Sequence, residues 1–303
     1  MTAGSPLPSD TDLDPDMLQA AIDAPCHHIR VASAGCLNYY EDSDVEGRPL
    51  VLMHSINAAP SAMEMKPLFE HYRSRRPVYA PDLPGYGRSE RSDRPYSPAM
   101  YADVLCEFLS RVVKRPADII AFSLSAEFAA RAVPLAGDGI ASLALLSPTG
   151  LSRRQAPSGK ITDRLLSFFR LPVLGDGLYR LLTSRLSIRY FIGQAFTGPT
   201  PQDLLDYAHA TAHQPGAKHA PFRFLSMKLF TPGAIDELYR PLQLPVLVLY
   251  DRDPNVKFDL LDELVAERPN WQAERIAPTL GLPHWEQLAA TVQALDRFWL
   301  QHR

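Results

Sequence analysis

Short apolar runs alternate with stretches of helical periodicity through the first half of the chain. "CHHIRVA" and "CLNYYED" mix polar and apolar positions in the way of half-exposed strands, and they predict an antiparallel pair joined through Ala34 and Gly35. "RPLVLMHS" is continuously apolar, the pattern of a strand buried on both faces. A helix-like stretch, "SAMEMKPLFEHYRS", and a short strand, "RPVYA", follow. "SPAMYADVLCEFLSRVV" has helical spacing, with Ser97 placed to cap it and Pro98 at the first position, where a missing N–H costs nothing. "ADIIAF", "SAEFAARAV" and "ASLALLS" then read as strand, helix and strand. The same rhythm returns late in the chain with "LPVLVLY", "VKFDLLDELVAER", "WQAERIA" and "HWEQLAATVQALDRFWLQ".

This alternation predicts an α/β fold, a mostly parallel sheet of about eight strands with helices on both faces. Between Pro148 and Pro241 the strands stop. "KITDRLLSFFRL", "GLYRLLTSRLSIRYFIGQAF", "TPQDLLDYAHATAH" and "FRFLSMKLF" are all helical in spacing. The expected organisation is therefore a disordered or helical extension over 1–24, a core built from 25–148 and 241–303, and a helical cap over 149–240 inserted after the sixth strand.

Composition narrows the class of protein. Apolar residues at 46 % support a large core, and a net charge of −3 points to neither nucleic acid nor a strongly acidic partner. Cys26, Cys36 and Cys106 are odd in number and lack metal-like spacing, as reduced thiols in the cytoplasm do. The opening "MTAGSPLPSDTDLDPD" is acidic and proline-rich and has no apolar run, unlike a secretory signal. No segment approaches the roughly 18 consecutive apolar residues of a membrane span. A cytoplasmic protein acting on a small, apolar molecule, without stable membrane insertion, is the expectation.

Candidate chemistry lies where predicted strands end, since open parallel sheets place ligands at the carboxyl ends of their strands. Ser123 ends "DIIAF", Asp253 follows "PVLVLY", and His284 follows "WQAERIA". A serine hydroxyl is a weak nucleophile until an imidazole takes its proton, and the imidazole needs a carboxylate to fix its tautomer. These three types in the order Ser, Asp, His resemble the α/β-hydrolase superfamily, in its capped, serine-nucleophile, esterase-like branch. The resemblance spans roughly residues 27 to 302 and rests on "LVLMHS", "DLPGYGRS", "AFSLS", and the pair "YDRDP" and "GLPHW".

The resemblance implies a serine hydrolase, with no cofactor and no metal, that cleaves a carboxylic ester through an acyl-enzyme. Ser123 would attack, His284 serve as base and Asp253 orient it. The backbone N–H groups of Ile56 and Leu124 would form the oxyanion hole, with His54 and Ser55 as possible support. The same triad serves amide and carbon–carbon bond hydrolysis, and a catalytically silent relative would bind a ligand or partner instead. Two departures stand out. The elbow has Ala121 and Ser125 where the family carries glycines, which leaves a choice between Ser123 and Ser125. Ser55 replaces a glycine after His54, where its hydroxyl could add a donor. Asp251 competes with Asp253 for the acid, the family spacing selecting Asp253.

Two other features have plain readings. Asp206, His209 and His213 lie at i, i+3 and i+7 and could share a helical face, but they match no metal motif. Residues 151–200 hold eight Lys or Arg against two Asp, interleaved with Leu, Phe and Ile. That pattern fits either an interfacial face drawn to anionic lipid or a cap helix pair with apolar residues inward and arginines in water. The second is the expectation.

Overall fold

A computed structural model describes residues 18–302, so most of the predicted N-terminal extension lies outside the described residues. Its end, residues 18–24, runs as irregular bends rather than a helix. Ile22 is buried there, and the Ala21 N–H donates to the Tyr40 hydroxyl at 2.8 Å.

Eight strands form one sheet: β1 (Cys26–Val31), β2 (Gly35–Asp42), β3 (Leu50–Met53), β4 (Val78–Pro81), β5 (Ala117–Phe122), β6 (Ile140–Leu146), β7 (Val246–Tyr250) and β8 (Trp271–Arg275). Their spatial order is β1-β2-β4-β3-β5-β6-β7-β8. β1 and β2 pair antiparallel, β2 pairs antiparallel with β4, and every later pairing is parallel. β3, β4 and β5 are buried along their whole length, which is why their sequences are apolar apart from Asp118.

Helices cover both faces. Among the described residues these are α1 (Lys66–Tyr72), preceded by a single 3-10 turn at Ala62–Met65, α2 (Pro98–Phe108) and α3 (Ser125–Ala136). Then come α4 (Lys160–Phe169), α5 (Leu174–Leu182), α6 (Arg185–Gly193), α7 (Gln202–Ala212) and α8 (His219–Leu225), all between β6 and β7. α9 (Leu261–Glu267), α10 (Pro283–Glu286) and α11 (Leu288–Gln301) follow. The two-residue period of β5 divides the core: Ile119 packs with α2 and α3, Ile120 with α1 and α11. Ser97 caps α2 as expected, accepting from the Met100 N–H. Asp118, buried at the start of β5, is held by Arg76 and by the Ser142 hydroxyl at 2.6 Å, and Arg76 in turn lies over the Trp299 ring.

Two helix readings between β6 and β7 change. "GLYRLLTSRLSIRYFIGQAF" is two helices, because Ser184 takes extended backbone and its hydroxyl accepts from Ser187 N–H, starting α6 afresh. "FRFLSMKLF" ends as a helix at Leu225, just before Met227 at φ 63°. The helices between β6 and β7 also depart from the apolar-inward expectation. The arginines of α4–α6 are in water, but so are Val173 and Leu186, each 81 % exposed.

Candidate active site

β5 ends at Phe122 and α3 begins at Ser125, so the chain reverses over two residues. Ser123 makes the turn at φ 55°, a left-handed conformation that costs a non-glycine residue about 1–3 kcal/mol. The neighbouring structure imposes it: the Ser123 N–H donates to the Leu146 carbonyl on β6 at 2.9 Å, and its own carbonyl accepts from Ala126 at 3.2 Å. Ala121 and Ser125, where glycines were missed in the sequence, are fully buried and small enough to fit. Ser125 donates its hydroxyl to the His54 carbonyl, tying the elbow to the end of β3. That hydroxyl is committed to structure. Ser123 is partly exposed, and its hydroxyl takes no partner among the described residues.

The segment after β3 is fixed from two sides. His54 is buried, its Nε2 accepting from the Leu83 N–H at 2.9 Å, so Nδ1 carries the proton and donates to the Ser55 carbonyl at 2.6 Å. Burial holds its pKa down to about 4, against the pull of the Ser55 bond. Leu83 belongs to the "DLPGYGRS" turn, where buried Asp82 accepts from Ala62 N–H, Arg88 N–H and the Asn38 amide. Gly87, at φ 53°, has no room for a side chain: a Cβ would lie 1.9 Å from the Asp82 carboxyl carbon.

Glu64 is the residue that sequence reasoning missed. It sits in the 3-10 turn at Ala62–Met65, and its buried carboxyl accepts from Ser55 N–H at 2.8 Å, Ser55 Oγ at 2.9 Å and Asn57 Nδ2 at 3.2 Å. The Ser55 hydroxyl is thus directed at Glu64 rather than at a developing oxyanion, because the carboxylate is the stronger acceptor nearby. Burial pushes the Glu64 pKa up to about 7, while the bonds from Ser55 and Asn57 pull the other way. The available signal was the lone acid within the apolar run "SAMEM". The N–H groups of Ile56 and Leu124 take no partner among the described residues.

His284, in α10, is fully buried. Its Nε2–H donates to the Glu64 carbonyl at 2.8 Å, and Trp285 Nε1 donates to the same oxygen at 2.7 Å. The ring meets Phe122, one residue before Ser123, edge-on at 5.2 Å. Nδ1 is buried with no partner, leaving a lone pair unclaimed. Burial lowers the imidazole pKa to about 4, with the Glu64 carbonyl opposing.

The two candidate acids differ in what they already hold. Asp251 is buried and engaged by Arg275 Nε at 2.6 Å and Thr279 N–H at 2.9 Å. Burial raises its pKa, but these two partners outweigh that and hold it below the usual carboxylate value. Asp253 accepts the N–H groups of Asn255 at 2.7 Å and Val256 at 2.9 Å on Oδ1 alone. Its Oδ2 faces the turn that leads into His284, 2.9 Å from where a Cβ on Gly281 would stand. Burial raises the Asp253 pKa.

The fold therefore gathers the elbow, the segment after β3 and the His284 turn around Glu64 and Phe122. It forms no hydrogen bond from Ser123 to His284 or from His284 to either aspartate among the described residues. Asp206, considered above with two histidines, instead pairs with Arg185 at 2.9 Å, while His209 and His213 stack at 4.1 Å.

The sequence model of the alpha/beta hydrolase family matches residues 50–294, from β3 into α11. The chain belongs to the alpha/beta hydrolase family. No curated protein matches it. Among solved structures, a putative aryl esterase from Burkholderia cenocepacia superposes with TM-score 0.72 at 17 % identity, covering 92 % of this chain and 99 % of its own. An enol-lactonase from Burkholderia xenovorans gives 0.70 at 14 %, covering 90 % and 100 %. A probable hydrolytic enzyme from Pseudomonas aeruginosa gives 0.70 at 18 %, covering 91 % and 95 %. At these identities the likeness is one of fold.

Proposed function

We propose that this family member is a serine hydrolase that cleaves a carboxylic ester with an apolar moiety through an acyl-enzyme. The observation that carries the reading is Ser123 itself: a partly exposed serine on left-handed backbone between β5 and α3, its hydroxyl without a partner among the described residues. Strain of this kind, held by the surrounding structure, clusters at functional sites. Ser123 attacks the carbonyl, and the unclaimed lone pair of His284 accepts its proton and later returns it to the leaving alcohol. The N–H groups of Ile56 and Leu124 hold the oxyanion, and water then releases the acid. Asp253 orients the imidazolium, for which the ring must first release the Glu64 carbonyl. An orphaned buried nitrogen is the sign of a partner still to arrive.

The engagement of His284 with Glu64 also favours a second reading, a ligand-binding relative whose imidazole never reaches the serine. A fluorophosphonate probe, read by intact mass, separates the two. The hydrolase labels once, Ser123→Ala does not label, and Asp253→Asn lowers kcat by about a thousandfold or more while Asp251→Asn does not. A folded wild type that fails to label, and that turns over no ester or lactone in a panel of chain lengths, is the binding protein.

A further inference from the structure

The exposed apolar surface of this protein is concentrated in one place. Apart from Leu135 and Leu300, every large apolar residue that is strongly exposed among the described residues lies between Ile161 and Phe191, in α4, α5, α6 and the α4–α5 connection. The exposure is periodic rather than scattered. Thr162, Leu166 and Phe169 of α4 turn inward, Leu166 and Phe169 packing around Phe222, while Ile161 and Phe168 repeat the same spacing on the water side with Leu165 half-buried between them. α5 does likewise, Tyr179 inward and Leu174 and Leu181 outward, and α6 buries Ile188 while Leu186 and Tyr190 face water. Each of these helices has one apolar stripe that the cap uses and a second that it does not.

The connection between α4 and α5 exposes the same chemistry. Val173 takes φ 66° at its tip, a conformation strained for a β-branched side chain, and is 81 % exposed there. The basic residues complete the surface. Residues 151–200 carry eight Lys or Arg and two Asp in a chain whose net charge is −3. The two aspartates are taken by lysines from beyond the segment, Asp163 by Lys228 and Asp176 by Lys218. Arg154, Lys160, Arg164, Arg180 and Arg189 are exposed and form no ion pair among the described residues.

We infer that the outer face of α4–α6 docks on an anionic phospholipid surface, the apolar stripes entering the headgroup boundary and the five unpaired cations meeting lipid phosphates. An apolar stripe flanked by Lys and Arg is the pattern of helices that lie in a membrane interface. No helix among the described residues is long and apolar enough to cross a membrane, so the contact is peripheral. A second copy of this chain is the poorer occupant: a two-fold contact sets each patch against itself, placing Arg164, Arg180 and Arg189 opposite like charges. The inner side of the same helices reaches the proposed site. Ile188 packs against Ala59, and the Tyr179 hydroxyl lies 3.4 Å from the Ala58 carbonyl, so docking sets the membrane over the cap that covers the segment after β3.

Flotation of the full chain with vesicles tests this without turnover, so a failed hydrolase reading leaves it standing. Wild type floats with vesicles of phosphatidylcholine mixed with phosphatidylglycerol and scarcely with phosphatidylcholine alone, and added salt weakens the binding. Arg164→Glu, Arg180→Glu and Arg189→Glu together lower partitioning by about a hundredfold or more, since each removes one cation's attraction and adds one anion's repulsion. Val173→Ser, Leu181→Ser and Leu186→Ser together lower it by at least about tenfold, with the thermal midpoint little changed because these side chains are mostly in water. No flotation on anionic vesicles, or flotation that neither set of substitutions alters, overturns the inference. So does a dimer in light scattering that the serine substitutions dissolve while vesicles stay unbound.

Discussion

At the scale of single residues, Ser123 concentrates the tension between stability and chemistry. Its φ of 55° is a backbone choice that glycine makes freely and that any Cβ resists. Replacing it separates the two costs. Ser123→Ala and Ser123→Gly both lack the hydroxyl and are both expected to be inactive, but only the alanine keeps the strain. Ser123→Gly is therefore the more stable by about 1 kcal/mol, a shift of about 2 °C in thermal midpoint for a chain of this size. Equal midpoints for the two variants would mean that the turn is relaxed in solution. Ser125 shows how a glycine position can be filled by another small residue given a task, since its hydroxyl joins α3 to the His54 carbonyl. Glu64 shows the converse, a charged side chain buried because Ser55 and Asn57 are there to receive it.

At the scale of elements, the proposed site depends on two turns that approach closely, the one after β7 bearing Asp253 and the one after β8 leading to His284. Gly281 allows the approach. It takes φ 128°, and a Cβ there would stand 2.9 Å from Asp253 Oδ2 and 3.5 Å from its carboxyl carbon. Gly281→Ala must displace one turn or the other, and a shift of about 1 Å at reacting groups costs on the order of a hundredfold in rate. The expected result is a fall in fluorophosphonate labelling rate of at least about tenfold, with stability lowered by about 1–2 kcal/mol. Labelling at the wild-type rate would show that Asp253 has no part in arming His284. The elements themselves were largely legible, because buried parallel strands such as "LVLM" and "ADIIAF" announce themselves as apolar runs and Ser97–Pro98 marks the start of α2. The positions of Ser123, Asp253 and His284 after strands could be read for the same reason. The Glu64 network could not, since it joins residues nine apart through a carboxylate whose burial depends on tertiary packing. Nor could the outward stripes of α4–α6: spacing says that a residue shares a face, not which face meets the core.

At the scale of the whole molecule, these buried groups set how stability follows pH. His54 and His284 are held near 4 from an ordinary 6.5, both chiefly by burial. The unfolded chain binds more protons than the folded one between those values, so each imidazole's stabilising share is present above 6.5 and is lost as pH falls to 4, about 3 kcal/mol apiece. Glu64 runs in the opposite sense. Its folded pKa of about 7 lies above the ordinary 4.5, so the folded state binds the extra proton and stability falls as pH rises from 4.5 to 7, again by about 3 kcal/mol. Asp82, Glu127 and Asp253, all raised by burial, act with the same sign as Glu64. In the overlap Glu64 cancels one imidazole and flattens the acid side of the stability curve. Glu64→Gln removes that compensation while leaving an amide able to accept from Ser55 N–H. The variant should gain on wild type as pH rises, by up to about 3 kcal/mol between about pH 5 and about pH 8 in denaturant midpoints. Its own stability should fall more steeply toward acid, by about one proton's worth of slope. Parallel curves for the two proteins would mean that Glu64 stays ionised in the fold, with its charge carried by Ser55 and Asn57 alone.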